Sequence, residues 1–313
     1  MVAMSLRMLK RASRLYVSAG RPLLPITRWV REPLRLYYHR SPVLRHDISW
    51  SLRARALGHV HHLLVGDLPA EFDVWGGRLR FRSTGSVMAV HGYYVGEIEY
   101  HLCRFIVGCI KPGFVVIDVG AHHGIHSLVV AYELAARGFD GRVVAFEPCP
   151  ENRELLISNL ALNGLSRYVS VRPEAASDRA GQADFMECKE DNSNNTLSEN
   201  EPFAIDADQH VARRRVTTIT LDSLIDDLPR VDLVKIDVQG SEPRVLAGAE
   251  ALITRHRPVI VVEAVPGWPT TSAIRDFLRH HHYSVKSVDA DGNLCALESP
   301  HALISWDWVG VPR

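Results

Sequence analysis

From residue 114 onward, short apolar runs alternate with longer stretches in which apolar positions recur every three to four residues. The runs Val115–Val119, Val143–Glu147, Val169–Arg172, Leu233–Asp237, Val259–Glu263, Ser284–Val288 and Leu294–Leu297 predict strands. The stretches 125–137, 151–163, 241–255 and 270–281 predict helices. The first, fourth and fifth runs are almost continuously apolar, as a strand covered by helices on both faces must be. This alternation predicts a doubly wound α/β fold around a mostly parallel seven-stranded sheet. The link Asp289–Asn293 is short enough for a hairpin, so the last strand is expected to run antiparallel.

Upstream, Ile98, Leu102, Ile106 and Ile110 share a face of a helix expected over 96–110, and Gly76-Gly77 centres a hairpin over 72–84. Residues 1–60 read as helical pieces interrupted by Pro22, Pro25, Pro33 and Pro42. Residues 186–213, with the polar run Asp191–Thr196, read as a long loop whose Ser193, Asn194 and Asn195 could meet an acceptor. The expected organisation is a basic helical extension (1–70), a hairpin and helix leading into the core (71–113), the core domain (114–300) and a C-terminal tail (301–313).

Composition is that of a globular protein, 46% hydrophobic and 23% charged, which argues against a disordered chain. Charge is balanced overall but unevenly placed. Residues 1–60 carry twelve basic side chains against Glu32 and Asp47, a net of about +10 mirrored by about −10 elsewhere. Few aromatics interleave with that charge, so no nucleic-acid partner is expected. A basic amphipathic segment suits contact with an anionic membrane surface, and an Arg-rich, acid-poor N-terminus also resembles a targeting signal. No stretch of 18 apolar residues is present. Five scattered cysteines without a Cys-x-x-Cys pair argue against a disulfide framework or a structural zinc site and fit a reducing, cytoplasmic setting.

The first core strand runs into Asp118-Val119-Gly120-Ala121-His122-His123-Gly124-Ile125-His126-Ser127. Two glycines four apart permit a tight turn, and ligands of open α/β sheets sit at the carboxyl ends of the strands. The spacing is neither the dinucleotide fingerprint nor a P-loop. The second strand ends in Glu147, which could accept hydrogen bonds from both ribose hydroxyls of an adenosine. On the fourth strand, Lys235 and Asp237 are two apart and share a face, with Glu242 opening the next helix. A carboxylate there could serve as general base, and Asp237 is the candidate, with Glu242 and Glu263 as neighbours. The competing reading makes these carboxylates helix caps. A metal is not assigned, because Gln239 interrupts the acidic set.

These segments together resemble the FkbM family of methyltransferases. The resemblance rests on Ile117–Gly124, Phe146-Glu147-Pro148-Cys149-Pro150, Asn159–Gly164, Thr220-Leu221-Asp222-Ser223-Leu224, Val231–Glu242 and Val245–Ala249, and covers roughly residues 95–298. It implies a class I, Rossmann-like fold and S-adenosylmethionine as cofactor. The implied acceptor is a hydroxyl on a sugar, glycan, lipid-linked or natural-product molecule. Asp118, Gly120, Ala121, His122, Gly124 and Ser127 would cradle the methionine end, Glu147 the ribose, and Ala176 the adenine. Asp237 would lie between cofactor and acceptor, with Lys235 and Glu242 beside it. The family often has Asn at His122 and Glu at Gln239. A non-catalytic module that binds the same cofactor is the alternative reading.

Overall fold

A computed structural model describes residues 70–83, 92, 96–188, 194–197, 211–298 and 306–313. The expected basic helical extension therefore lies outside the described residues. The chain divides into two compact units, one running to Ile98 apart from Leu79–Phe81, the other comprising Leu79–Phe81 and Glu99–Arg313. The strands β1 (Ala70–Val74) and β2 (Leu79–Ser83) pair as a two-stranded sheet. Their turn is closed by the Gly77 N–H donating to the Val74 carbonyl at 3.2 Å, with Gly76 and Gly77 at φ 65° and 80°. Arg82 reaches back to Glu71 at 2.8 Å.

In the larger unit the helix α1 (Tyr100–Cys109) precedes a Rossmann-like core. Its strands are β3 (Phe114–Val119), β4 (Gly141–Phe146), β5 (Val169–Arg172), β10 (Leu233–Ile236), β11 (Val259–Glu263), β12 (Tyr283–Val288), β13 (Leu294–Cys295) and β14 (Asp307–Pro312). They form one sheet in the order β13-β12-β14-β11-β10-β3-β4-β5. The pairs from β11 through β5 are parallel, and β14 runs antiparallel to both β11 and β12. Strand order reverses between β3 and β10, where an open sheet places its ligand crevice.

Side chains alternate across this sheet with period two. Val115, Ile117 and Val119 enter one apolar cluster with residues of α4 (Glu242–Ala247), α5 (Glu250–His256) and α6 (Thr270–His280). The helix α2 (Ile125–Arg137) packs on β4 and on α1. It ends because Gly138 turns left-handed, letting the Gly138 and Phe139 N–H groups cap the Ala135 and Leu134 carbonyls. The helix α3 (Pro150–Leu162) begins with proline at its first position, where no N–H is needed.

The predicted class holds, and four details differ. The sheet has eight strands rather than seven, because β14 is inserted between β11 and β12; the expected antiparallel hairpin partner of β12 is present as the two-residue edge strand β13. Residues 307–312, expected within a tail, thus form a strand of the core sheet. The helix expected over 241–255 is two helices that meet at Gly248, where the Ser177 carbonyl, 2.0 Å from the missing Cβ, admits no side chain. Asp222 then caps α5 from a distance, accepting from the Ala251 and Leu252 N–H groups.

The fourth difference concerns residues 186–213. A second, four-stranded sheet is built from β6 (Ala175–Ala176), β7 (Gly181–Cys188), β8 (Thr196–Leu197) and β9 (Val211–Ile219), in the order β6-β9-β7-β8. The ends of the expected loop belong to β7 and β9, and β8 lies within it. Arg215 sits directly opposite Asp184, and Arg214 pairs with Glu187 at 2.7 Å, so cross-strand pairing satisfies the arginines.

Because β14 lies between β11 and β12 and pairs with both, a chain ending at residue 305 should lose cooperative unfolding in differential scanning calorimetry. A truncated chain with an unchanged, sharp transition would contradict this role.

Candidate active site

The carboxyl ends of β3, β4 and β10 converge. The loop leaving β3 is held by the Gly120 and Ala121 N–H groups, which both donate to the Phe146 carbonyl at the end of β4. Gly120 has φ 75°, and a Cβ on it would lie 1.8 Å from the Asp237 carbonyl oxygen. This glycine is demanded by the approach of β10, which the spacing alone did not reveal. Gly124, at φ 87°, leaves room for Leu156 of α3 in the same way. His122 stands between them at φ 52°, a left-handed conformation in which Asn and His are enriched over other side chains. That shared tolerance accounts for histidine where the family often has asparagine. His123 is buried, 3.1 Å from Asn152, and its carbonyl accepts from Asn159.

Asp118 ends up buried with Ser127, whose hydroxyl donates to Oδ2 at 2.6 Å, while Oδ1 has no hydrogen-bond partner. Lys235 lies 3.8 Å from that oxygen and donates to the Gly120 carbonyl at 3.3 Å and to Asp237 at 3.1 Å. Burial alone would lower the Lys235 pKa, but Asp237, Asp118 and Glu99 outweigh it and hold the ammonium charged. Asp237 is likewise lifted by burial, yet Lys235 and Gln239 pull it below the usual carboxylate range. A carboxylate so anchored accepts hydrogen bonds strongly and takes up protons poorly.

Gln239 donates to Asp237 at 2.9 Å and to Glu263 at 2.8 Å. A glutamate at 239 would put a third acid between these two in place of the donating amide. Burial, then Asp237, Glu242 and Asp307, push Glu263 well above its normal range. Glu242 folds back onto the turn before its helix, accepting from the Val238 and Gly240 N–H groups at about the same length as an ordinary backbone bond. Glu147 does the same for its own loop, accepting from His122 at 2.7 Å and from Cys149 at 2.9 Å. Burial pushes both carboxyls to about 7 despite those donors. Ala176 is buried in the main apolar cluster. Thr196 of β8 donates to the Val238 carbonyl at 3.2 Å, so the second sheet touches the end of β10.

Sequence reasoning missed two members of this cluster. Glu99, at the start of α1, lies 3.3 Å from His126 on the first turn of α2, out of line for a hydrogen bond. Asp307, paired in register with Glu263, joins from β14. Neither belongs to a motif, and only the fold brings them in. Elsewhere among the described residues Cys149, Glu151 and Glu187 approach one another at ligand spacing, with the Arg214 guanidinium bonded to both glutamates.

The reversal of strand order and the acid-lined carboxyl ends place a ligand crevice in a Rossmann-like fold. The chain belongs to the FkbM methyltransferase family: the methyltransferase FkbM domain matches residues 118–285. It is 30% identical over 240 residues to the AMB antimetabolite synthetase AmbE of Pseudomonas aeruginosa, covering 63% of this chain and 11% of that protein. It is 39% identical over 90 residues to a protein-L-isoaspartate O-methyltransferase of Methanopyrus kandleri, covering 25% of this chain and 38% of that one. The chain therefore spans well under two thirds of either curated relative. A solved FkbM methyltransferase from Methylobacillus flagellatus shares 16% identity at a TM-score of 0.42, covering 84% of this chain and 60% of that one.

The buried carboxyls make stability depend on pH in a defined window. Glu99 at about 8, and Glu147 and Glu242 at about 7, bind protons in the folded chain that they lose at 4.5 when unfolded. His101 and the buried His123 and His126 act oppositely, but only below 6.5. Between pH 6.5 and 8 the folded state therefore binds more protons, and stability should fall as pH rises. Urea denaturation of the ligand-free protein across that range checks this; a rising midpoint would show the carboxyls to be ionised.

Proposed function

We propose that this chain is an S-adenosylmethionine-dependent O-methyltransferase acting on a hydroxyl of a sugar, glycan, lipid-linked or natural-product acceptor. The observation that carries the reading is the meeting of Asp118, Glu147 and Asp237 at three adjacent strand ends, with Asp118 Oδ1 lacking a hydrogen-bond partner. An ammonium is the natural partner of such an oxygen, and the α-amino group of S-adenosylmethionine offers one. Glu147 has further lone pairs for the ribose hydroxyls, and its two backbone donors fix the carboxylate in place. Gly120, Ala121, His122, Gly124 and Ser127 shape the turn around the methionine end. The burial of Ala176 puts its assignment to the adenine on the backbone of β6 rather than on its methyl group.

When bound, S-adenosylmethionine supplies an electrophilic methyl carbon. The chain's own task is to hold the acceptor oxygen in line with it. Asp237 suits this, since Lys235 and Gln239 fix its carboxylate and leave it ionised to receive the acceptor's hydroxyl. Lys235 keeps that geometry, and Glu242 supports it by holding the turn after β10. No metal enters the scheme. O-methylation is also the chemistry named for the Methanopyrus relative. The basic segment 1–60 would bring a cytoplasmic enzyme to an anionic membrane surface, where a lipid-linked acceptor is found.

Glu147→Gln keeps one acceptor oxygen for the loop but removes the charge, and should weaken S-adenosylmethionine binding by about tenfold in calorimetry. Unchanged affinity would remove Glu147 from the ribose. Asp237→Asn should slow methyl transfer from labelled S-adenosylmethionine, with extracts as acceptor pool, more than it weakens cofactor binding. Cofactor binding without any labelled product would favour the non-catalytic module.

A further inference from the structure

Past the reversal of strand order the acids change character. Asp118, Glu147 and Glu242 are buried. Asp237, Glu263 and Asp307 are partly exposed. These three stand in a row. Ile236 pairs in register with Val262, and Glu263 with Asp307, so the residue after β10, the last of β11 and the first of β14 lie side by side at one end of the sheet. Register neighbours point to the same face, and two strand spacings make the row about 10 Å long. Gln239 donates to both Asp237 and Glu263, so its amide stands where a cation shared by them would have to be. The row is suited to receiving hydrogen bonds at several points, not to gripping one ion.

A tryptophan stands at each end. On the β10 side, Trp268 Cζ3 lies 3.8 Å from where a Cβ on Gly240 would be, which sets the indole against the turn that follows Asp237. On the β14 side, Trp306 immediately precedes Asp307, and its carbonyl accepts from the Ala264 N–H just after Glu263 at 2.6 Å. Trp306 is 49% exposed, although Trp308 two residues on is buried. A side chain this large usually loses most of its surface to the protein, so an open indole beside an acid row is informative.

We propose that Trp268 and Trp306, with the acid row of Asp237, Glu263 and Asp307, form an acceptor subsite that holds a saturated ring bearing several hydroxyls, as in a pyranose. The proposal rests on the S-adenosylmethionine-dependent O-methyltransferase reading above and narrows its acceptor. Such a ring has two kinds of surface. Its faces present C–H bonds, whose slightly positive hydrogens settle on the negative face of an indole. Its rim carries hydroxyls, each of which donates to a carboxyl oxygen. A phenol or an aliphatic alcohol brings a single hydroxyl, and would strip water from the rest of the row without replacing its hydrogen bonds. The same arrangement selects the position methylated. With other hydroxyls of the rim on Glu263 and Asp307, the remaining one is presented to Asp237.

Methyl-labelled S-adenosylmethionine and an extract, incubated with the protein, should yield a product whose label sits on a hydroxyl of a saturated ring, located by mass spectrometry. With the unmethylated form of that compound as acceptor, Trp306→Ala should raise KM about tenfold and leave kcat and the affinity for S-adenosylmethionine unchanged. Trp268→Ala should raise KM in the same direction. Trp306→Tyr keeps an aromatic face and should recover most of the loss. Label on an aromatic or open-chain hydroxyl would overturn the proposal while leaving the methyltransferase reading in place. So would a KM unmoved by Trp306→Ala, or a loss of cofactor affinity in that variant, which would make Trp306 a support of the fold. Cofactor binding without labelled product would overturn the O-methyltransferase reading itself, and this inference with it.

Discussion

The buried ammonium of Lys235 is the interaction on which the site depends. An amine taken out of water is costly unless its partners are close and well placed. Here they come from two strands: the Gly120 carbonyl and Asp118 on the β3 side, Asp237 on the β10 side. The charge therefore works as a rivet across the crevice. It also explains why position 120 must be glycine, since the loop is drawn against the Asp237 carbonyl.

Around that rivet, one type of side chain serves several ends. Asp237 is kept ionised by two donors, Glu147 and Glu242 lend their oxygens to loops, and Glu99 is neutral among its negative neighbours. Neighbours, not residue type, sort the acids into hydrogen-bond acceptors and loop anchors. Gln239 separates Asp237 from Glu263 with a donating amide, which a third acid would lack.

The parallel half of the sheet was legible because its strands are buried on both faces and flanked by glycine or acid. The motifs were legible too, and the structure supplies their physical content: Asp222 caps α5, Asn159 pins the turn at His123, and Asp232 holds the start of β3. What escaped were features decided by tertiary partners. The expected loop over 186–213 gives way at its end to a strand, where Arg214 and Arg215 pair with Glu187 and Asp184 across the sheet. Asp307–Pro312 carries both glycine and proline, and its place between β11 and β12 depends on residues more than twenty positions away. Glu99 lay in no periodic pattern, and only the packing of α1 on α2 brings it to His126.

The insertion of β14 has a consequence for the order of events in folding. Its two neighbours both precede it in the chain, so during synthesis β11 and β12 must wait, edges open, until the later strand arrives. The gap cannot close by pairing β11 with β12 without excluding β14 from its place. Long loops must also be closed before these pairings are rewarded, which slows a nascent chain. Until then two unpaired strand edges stand exposed, and a growing polypeptide in that state is a natural client for a chaperone.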